Sequence, residues 1–351
     1  MGKTVVIALG GNAILRHGQT GTAEEQAENV RTACRQIARV VERGHRVVVT
    51  HGNGPQVGNI LIQNEAARDR VPAMPLDVCG AQSQGQIGYL LQRELGVALQ
   101  AHGVPRPVVT VVTQVVVDPH DPAFRNPTKP VGPFYAEHEA RALMQAKGWV
   151  MREDAGRGWR RVVPSPAPRR VVELDAIRAL VGLGVVVIAA GGGGVPVAEG
   201  PDGLRGVEAV IDKDLTAQRL ATELGADLLA ILTDVPRVYL RYGTAEQQPL
   251  DRVTASELEA YLREGHFADG SMRAKVEGAI AFVRAGGERA VVAALDEALA
   301  GVEGYSGTQV IPDAAAAQVP EGMWQAYVEI GDSNRSSTSS PRAESGNRPG
   351  R

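Results

Sequence analysis

Cysteine is almost absent from this chain of 351 residues: there are two, Cys34 and Cys79. Two thiols cannot build a disulfide framework, and so low a count fits a reducing compartment. Cys34 falls on the apolar stripe of an expected helix, where it reads as a buried thiol rather than a ligand. Charge of one sign is also lacking. The formal net charge is −3, too small for a field that would draw nucleic acid or an anionic membrane. No apolar run is long enough to span a bilayer, and the opening run 5–9 is too short for the core of a signal peptide. A soluble, cytoplasmic protein is the expectation. Several motifs are missing too. Without G-x-x-x-x-G-K-[ST] there is no Walker loop. Without H-E-x-x-H or paired C-x-x-C there is no zinc site, and His51, His102, His120, His138 and His266 are scattered. Without G-x-S-x-G there is no hydrolase nucleophile elbow.

What is present is a repeated junction between an apolar strand and a glycine turn. Val5–Leu9 runs into Gly10, Gly11 and Asn12. Val47–Thr50 runs into His51, Gly52, Asn53 and Gly54. A third run, 185–190, leads into Gly191, Gly192, Gly193 and Gly194. Such turns expose backbone N–H groups to anions, and three of them place a crevice at the carboxyl ends of parallel strands. Between the first two, Thr22 and Glu25 form a capping box before Val30, Ala33, Cys34, Ile37, Val40 and Val41 at helical spacing, with Gly44 as a terminator. Strand, helix, strand implies a parallel, right-handed crossover. The rhythm predicts a helix over 82–95 and one strand over 108–117. From residue 175 it alternates helix (175–183), strand (185–190), helix (214–224), strand (227–232), a capped helix after Thr254, a helix from about Ser271, strand (289–293), short helix (296–300) and strand (308–311). The fold class is α/β, with a mainly parallel central sheet.

Residues 118–168 break the rhythm. Prolines 119, 122, 127, 130 and 133 exclude a helix or a central strand there. A helix over 137–147 and a hairpin turning at 154–158 follow, and Pro164, Pro166 and Pro168 close the block. It reads as an insertion rising from the sheet, a functional lid. Residues from about 331 are rich in Ser, Gly, Pro, Asn and Arg without apolar period, and disorder is expected.

Gly52, Gly54 and Gly58 are spaced G-x-G-x-x-x-G, one residue too long for a dinucleotide turn, and only Asp69 and Asp77 stand where its acidic partner belongs. The lysines are more telling. Lys213 lies between Asp212 and Asp214 at the mouth of a helix, and Lys275 lies in the first turn of another. A lysine there opposes the helix dipole by a few tenths of a kcal/mol, which suits a bound anion. Lys129 is held between Pro127 and Pro130 in the insertion. Fixed cations and N–H donors around a glycine crevice are what phosphoryl transfer requires. Asp212 or Asp214 could hold the two lysines in register or help orient Mg²⁺ through water, and Asp212 could equally cap its helix.

Taken together, the strings 8–13, 50–58, 75–81, 126–135, 161–166, 191–197, 206–214, 232–235 and 267–272, with Lys275, resemble the carbamate kinases of the amino-acid-kinase superfamily. The resemblance covers residues 3 to about 311. It implies a three-layer α/β/α sandwich with a protruding lid subdomain. An N-terminal lobe, 1–224, would hold carbamate or carbamoyl phosphate and carry the lid at 118–168. A C-terminal lobe, 225–312, would hold the nucleotide, with an extension over 313–351. It implies reversible phosphoryl transfer between carbamoyl phosphate and MgADP, with Mg²⁺ carried by the nucleotide, in a homodimer that serves arginine fermentation or related purine catabolism. Lys213, Lys275, Asp214 and Lys129 would be catalytic. Gly10, Gly11, Asn12, Gly52, Asn53 and Gly54 would bind the carbamoyl phosphate end. Gly193, Gly194, Thr233, Asp234, Val235, Ser271, Met272 and Lys275 would border the nucleotide. Arg273 and Ala274 depart from the family pattern beside Lys275. The competing readings are a sister acid kinase such as an acetylglutamate or glutamate kinase, a non-catalytic nucleotide sensor of the same fold, and a nicotinamide oxidoreductase, which the glycine spacing disfavours.

Overall fold

The computed structural model describes residues 2–154, 156–267 and 271–316, with Ser271 and Ala316 as backbone only. Residues 1–313 form one compact unit, to which everything below refers. Residues 268–270 of the last family string, and the tail expected to be disordered, lie outside the described residues.

Eight strands build the central sheet: Thr4–Leu9 (β1), Arg46–His51 (β2), Val108–Thr110 (β3), Val186–Ile188 (β4), Leu228–Thr233 (β5), Arg252–Thr254 (β6), Arg289–Ala294 (β7) and Thr308–Ile311 (β8). Their order is β6-β8-β7-β5-β1-β2-β4-β3. All neighbours are parallel except β7 and β8. β1 lies inside the sheet, with Val5 opposite Val47 on one side and Leu228 on the other. All six of its residues are buried. Val6 and Ala8 face a core with Val48, Leu229, Ile231 and Val292, while Val5, Ile7 and Leu9 face another with Val47, Val49, Ala230 and Val291. Two covered faces are why the strand reads as an unbroken apolar run.

The helices that matter here are Ala23–Glu42 (α1), Gly54–Ala66 (α2), Leu76–Ala101 (α3), Lys213–Leu224 (α4) and Ser271–Arg284 (α5). α1 and α3 cover one face through Val30, Cys34, Ile37, Ile87, Leu91 and Leu95. α4 and α5 cover the other through Ala217, Leu220, Val276, Ile280 and Val283. Burying each such Val, Leu or Ile contributes about 1.5–3 kcal/mol before the entropy of ordering is subtracted. The capping box opens α1: the Thr22 hydroxyl accepts from the Glu25 N–H at 3.2 Å, and the Glu25 carboxylate accepts from the Thr22 N–H at 3.0 Å.

Three differences from expectation bear on the site. α3 extends well beyond 82–95, because Leu76, Cys79, Ala98 and Leu99 prolong its buried face at both ends. α2 was not marked by the sequence pattern; the Gly54-Pro55 start conceals it, although proline is well placed in a helix's first turn. The apolar run 108–117 is two strands in two sheets. Gln114–Val117 joins Pro168–Val171, Val195–Gly200 and Gly203–Gly206 instead of the central sheet. The break falls at Thr113. Its N–H donates to Gln84 Oε1 at 2.8 Å, its carbonyl accepts from Gln84 Nε2 at 3.1 Å, and its hydroxyl accepts from the Ala190 N–H at 2.9 Å. The Thr113 carbonyl also accepts from the Val195 N–H at 2.8 Å, so the chain passes at this residue from one sheet to the other with its backbone groups satisfied.

Within 118–168 the chain forms a three-stranded antiparallel sheet, Lys129–Tyr135, Trp159–Val163 and Met151–Glu153 in that order, plus the helix Glu137–Lys147. The strand carrying Pro130 and Pro133 is an edge, the one place where a missing N–H is tolerated. Val131 and Val163 root the excursion on Val57, Ile60, Leu76 and Cys79.

Candidate active site

β1, β2 and β5 run parallel and adjacent, so the turns after them gather at one edge of the sheet. After β1, the Gly10 N–H donates to the Leu232 carbonyl at 2.8 Å, which ties the first turn to β5. A Cβ at Gly52 would lie 3.4 Å from Cδ of Lys213 and 3.8 Å from Cα of Gly11, so the first two turns and the stem of Lys213 touch. Asn12 Nδ2 donates to Asp234 Oδ2 at 2.9 Å, bridging the turn after β1 to the turn after β5. Gly10, Gly11, Asn12, Lys213, Thr233, Asp234 and Lys275 together line a cavity of about 770 Å³. Arg16 and His17 also line it and went unnoticed in the sequence, although they sit in the same glycine-rich loop.

The lysines converge on one carboxylate. Lys213 is the first residue of α4, and its Nζ lies 2.5 Å from Asp214 Oδ1. Lys275, in the first turns of α5, places its Nζ 2.9 Å from Asp214 Oδ2. α4 and α5 pack side by side, and a Cβ at Gly278 would come within 3.1 Å of the Asp214 carbonyl. Close approach at that glycine is what brings the two lysines to one acid. Both partners are almost wholly buried: side-chain exposure is 2% for Lys275 and 3% for Asp214. A buried ammonium is tolerable only when paired and hydrogen-bonded. Burial is the largest influence on Lys213 and, helped by the Lys275 charge, pulls its pKa below the ordinary lysine value against the pull of Asp214.

Asp212 caps α4, its Oδ1 accepting from the Asp214 N–H at 2.9 Å. Its Oδ2 accepts from Lys129 Nζ at 2.8 Å, so the lysine of the excursion stands over the same helix mouth. Burial favours the neutral form of Asp212. Lys129, the Asp214 N–H and Lys213 outweigh that and hold the carboxyl below its usual range.

The glycines after β4 play a supporting part. Ala190 and Gly192 have φ of 53° and 66°, the left-handed region. A Cβ on Gly192 would sit 2.2 Å from Asn53 Nδ2, which itself donates to Ser83 Oγ at 2.7 Å. A Cβ on Gly191 would strike the His51 ring at 2.3 Å. The Gly193 carbonyl accepts from the Thr216 hydroxyl at 2.9 Å, and Gly194 packs against Val115. Neither of the last two lines the cavity; Gly193 lies against Ile211 and Asp212 at the mouth of α4. Gly54 opens α2. Val235 is half-buried beyond Asp234, and Met272 packs against the apolar core; neither lines the cavity. Ser271 begins α5, and its side chain is outside the described residues. His51 is fully enclosed and shares a 2.9 Å hydrogen bond with the Gly52 carbonyl. Burial drives its pKa down to about 4, so it is neutral near pH 7.

Among the described residues no group of three or more His, Cys, Asp or Glu could hold a metal. No helix among the described residues is long and apolar enough to cross a membrane. Cys34 and Cys79 are both free and buried.

Comparison with known proteins shows the family. The amino acid kinase family matches residues 3–294. The carbamate kinase of Pyrococcus furiosus is 54% identical over 314 residues, 89% of this chain and 100% of that protein. That of Thermococcus kodakarensis is 56% identical over 312 residues, 88% of this chain and 99% of its own length. The structure of carbamate kinase from Giardia lamblia bound to AMP-PNP superposes with a TM-score of 0.85 at 47% identity, covering 89% of this chain and 99% of that one. The chain therefore belongs to the amino acid kinase family, on its carbamate kinase branch.

Proposed function

We propose that the protein is a carbamate kinase, moving a phosphoryl group reversibly between carbamoyl phosphate and MgADP to give carbamate and MgATP. The observation that carries this reading is Asp214 holding Lys213 and Lys275 on its two oxygens at the wall of the cavity. A migrating phosphoryl group spreads negative charge over its equatorial oxygens, and two fixed ammonium groups in a dry site stabilise it with little reorganisation. The N–H groups of the Gly10–Gly11 and Gly52–Asn53 turns supply further donors toward the transferred group. Lys129 reaches in from the excursion as a third cation, on the carbamoyl side. Thr233, Asp234 and the start of α5 border the nucleotide, with Lys275 between nucleotide and phosphoryl group.

No general base is needed. The anhydride P–O bond of carbamoyl phosphate breaks to leave carbamate, already an anion, and the attacking ADP oxygen is already ionised. His51, neutral and turned to the Gly52 carbonyl, props the turn instead. Mg²⁺ enters as part of the nucleotide. Both oxygens of Asp212 and of Asp214 are engaged by protein partners. This suits an ion held by phosphate oxygens and water, as Mg²⁺ commonly is. The branch likeness also supports a homodimer, which sedimentation velocity would test.

An acceptor panel tests the substrate. With MgATP, ADP release should be strong with ammonium bicarbonate, which supplies carbamate, and weak with glutamate or N-acetylglutamate. Preference for either amino acid would assign the protein to a sister kinase. MgATP binding with no acceptor used would favour the sensor reading.

A further inference from the structure

Asp212 has one partner in the body of the fold and one in the excursion. Oδ1 fixes the first turn of α4 through the Asp214 N–H at 2.9 Å, and so fixes the helix mouth that presents Lys213 and Asp214. Oδ2 takes Lys129 Nζ at 2.8 Å, across 83 residues of sequence. Lys129 begins the edge strand Lys129–Tyr135, whose rooting on the body is apolar, through Val131. Apolar packing sets where the strand sits but not where a four-carbon ammonium side chain points. Lys129 is 37% exposed, so without a counter-charge its rotamers are free to sweep solvent, at an entropic cost on each binding event. Asp212 is only 19% exposed, and its own rotamer is locked by the helix cap.

Resting on the carbamate kinase reading, we propose that Asp212 is a positioning residue for carbamoyl phosphate. One carboxylate aims the lid lysine at the acceptor end and registers it against the Lys213–Asp214–Lys275 cluster. It touches neither substrate nor the reacting atoms. Its charge acts on the carbamoyl side through Lys129 and leaves the nucleotide side alone.

Asp212→Asn separates the two duties of the side chain. Asparagine caps a helix about as well as aspartate, so α4 keeps its first turn, while the charge that holds Lys129 is removed. KM for carbamoyl phosphate should rise about tenfold, with KM for MgADP and the melting temperature close to those of the parent enzyme. In a Lys129→Met background the same substitution should raise KM for carbamoyl phosphate no further, because the lysine through which it acts there is gone. Equal rises in both KM values, an unchanged KM for carbamoyl phosphate, or full additivity with Lys129→Met would each overturn the assignment. If the parent enzyme makes no ATP from carbamoyl phosphate, the reading beneath the proposal fails first. That outcome is separate from an active parent enzyme with an indifferent Asp212→Asn variant.

Discussion

Lys275 and Asp214 meet 2.9 Å apart in the interior, each with 3% or less of its side chain exposed. Neither charge is tolerable there alone. Because Lys213 shares the same carboxylate, Asp214→Asn would take from two crowded ammonium groups the charge they hold in common. Turnover should fall by about 10²-fold or more, and stability by roughly 3–5 kcal/mol, the range for breaking a buried pair. Steady-state kinetics and urea unfolding would measure the two effects, and a fully stable variant would contradict the clamp.

The two lysines should separate by burial. Lys213 has a side chain 15% exposed and lies on the cavity wall. Lys213→Met should cost about 10²–10³ in kcat with little change in melting temperature. Lys275→Met should cost similarly in kcat and also disturb the core around Asp214. Near-normal turnover in either variant would remove that lysine from the mechanism.

Glycine at 192 is predicted to be functional through Asn53. Gly192→Ala faces both a φ of 66° and the Asn53 amide 2.2 Å from the new methyl group. Asn53 must leave Ser83, and KM for carbamoyl phosphate should rise with a stability loss of about 1–3 kcal/mol. Gly184→Ala is the control. Its φ is also positive, 81°, but the new methyl group meets open space, so it should cost about 1 kcal/mol and leave KM alone.

These relationships mark the limits of what was legible in the sequence. β1 and β2 could be read because both their faces are buried, so the apolar run announces the strand. Lys213 and Lys275 could be singled out because lysine at a helix's opening is electrostatically unfavourable unless something anionic is near. The residues alone left open whether Asp212 or Asp214 holds them in register, since the partners come from α4 and α5, 61 residues apart. The split of 108–117 was hidden for a related reason. Val111 and Val112 continue the β-branched run, and the contacts at the break, the Gln84 side chain and the Ala190 N–H, come from segments remote in sequence. Gly193 and Gly194 carried the same glycine signal as the first two turns, but their open faces are filled by the Ile211 carbonyl and the Val115 side chain.

Acid should weaken the fold through His51. Its folded pKa, about 4, lies below the 6.5 of an exposed histidine, so between those values the unfolded chain binds more protons. Stability therefore rises with pH across that window, and this contribution, about 3 kcal/mol, is complete above pH 6.5 and lost on descent to pH 4. His51→Gln keeps an amide to offer the Gly52 carbonyl and cannot titrate. Urea midpoints measured from pH 4 to 7 should slope less steeply for the variant, and parallel slopes would refute this role for His51.

The most direct test is ATP formation by the full chain from MgADP with carbamoyl phosphate, with acetyl phosphate as control donor and Lys213→Met alongside. Rapid ATP formation from carbamoyl phosphate, little from acetyl phosphate and almost none from the variant is the predicted result. No ATP from carbamoyl phosphate, in a protein that still binds MgADP, would contradict the account.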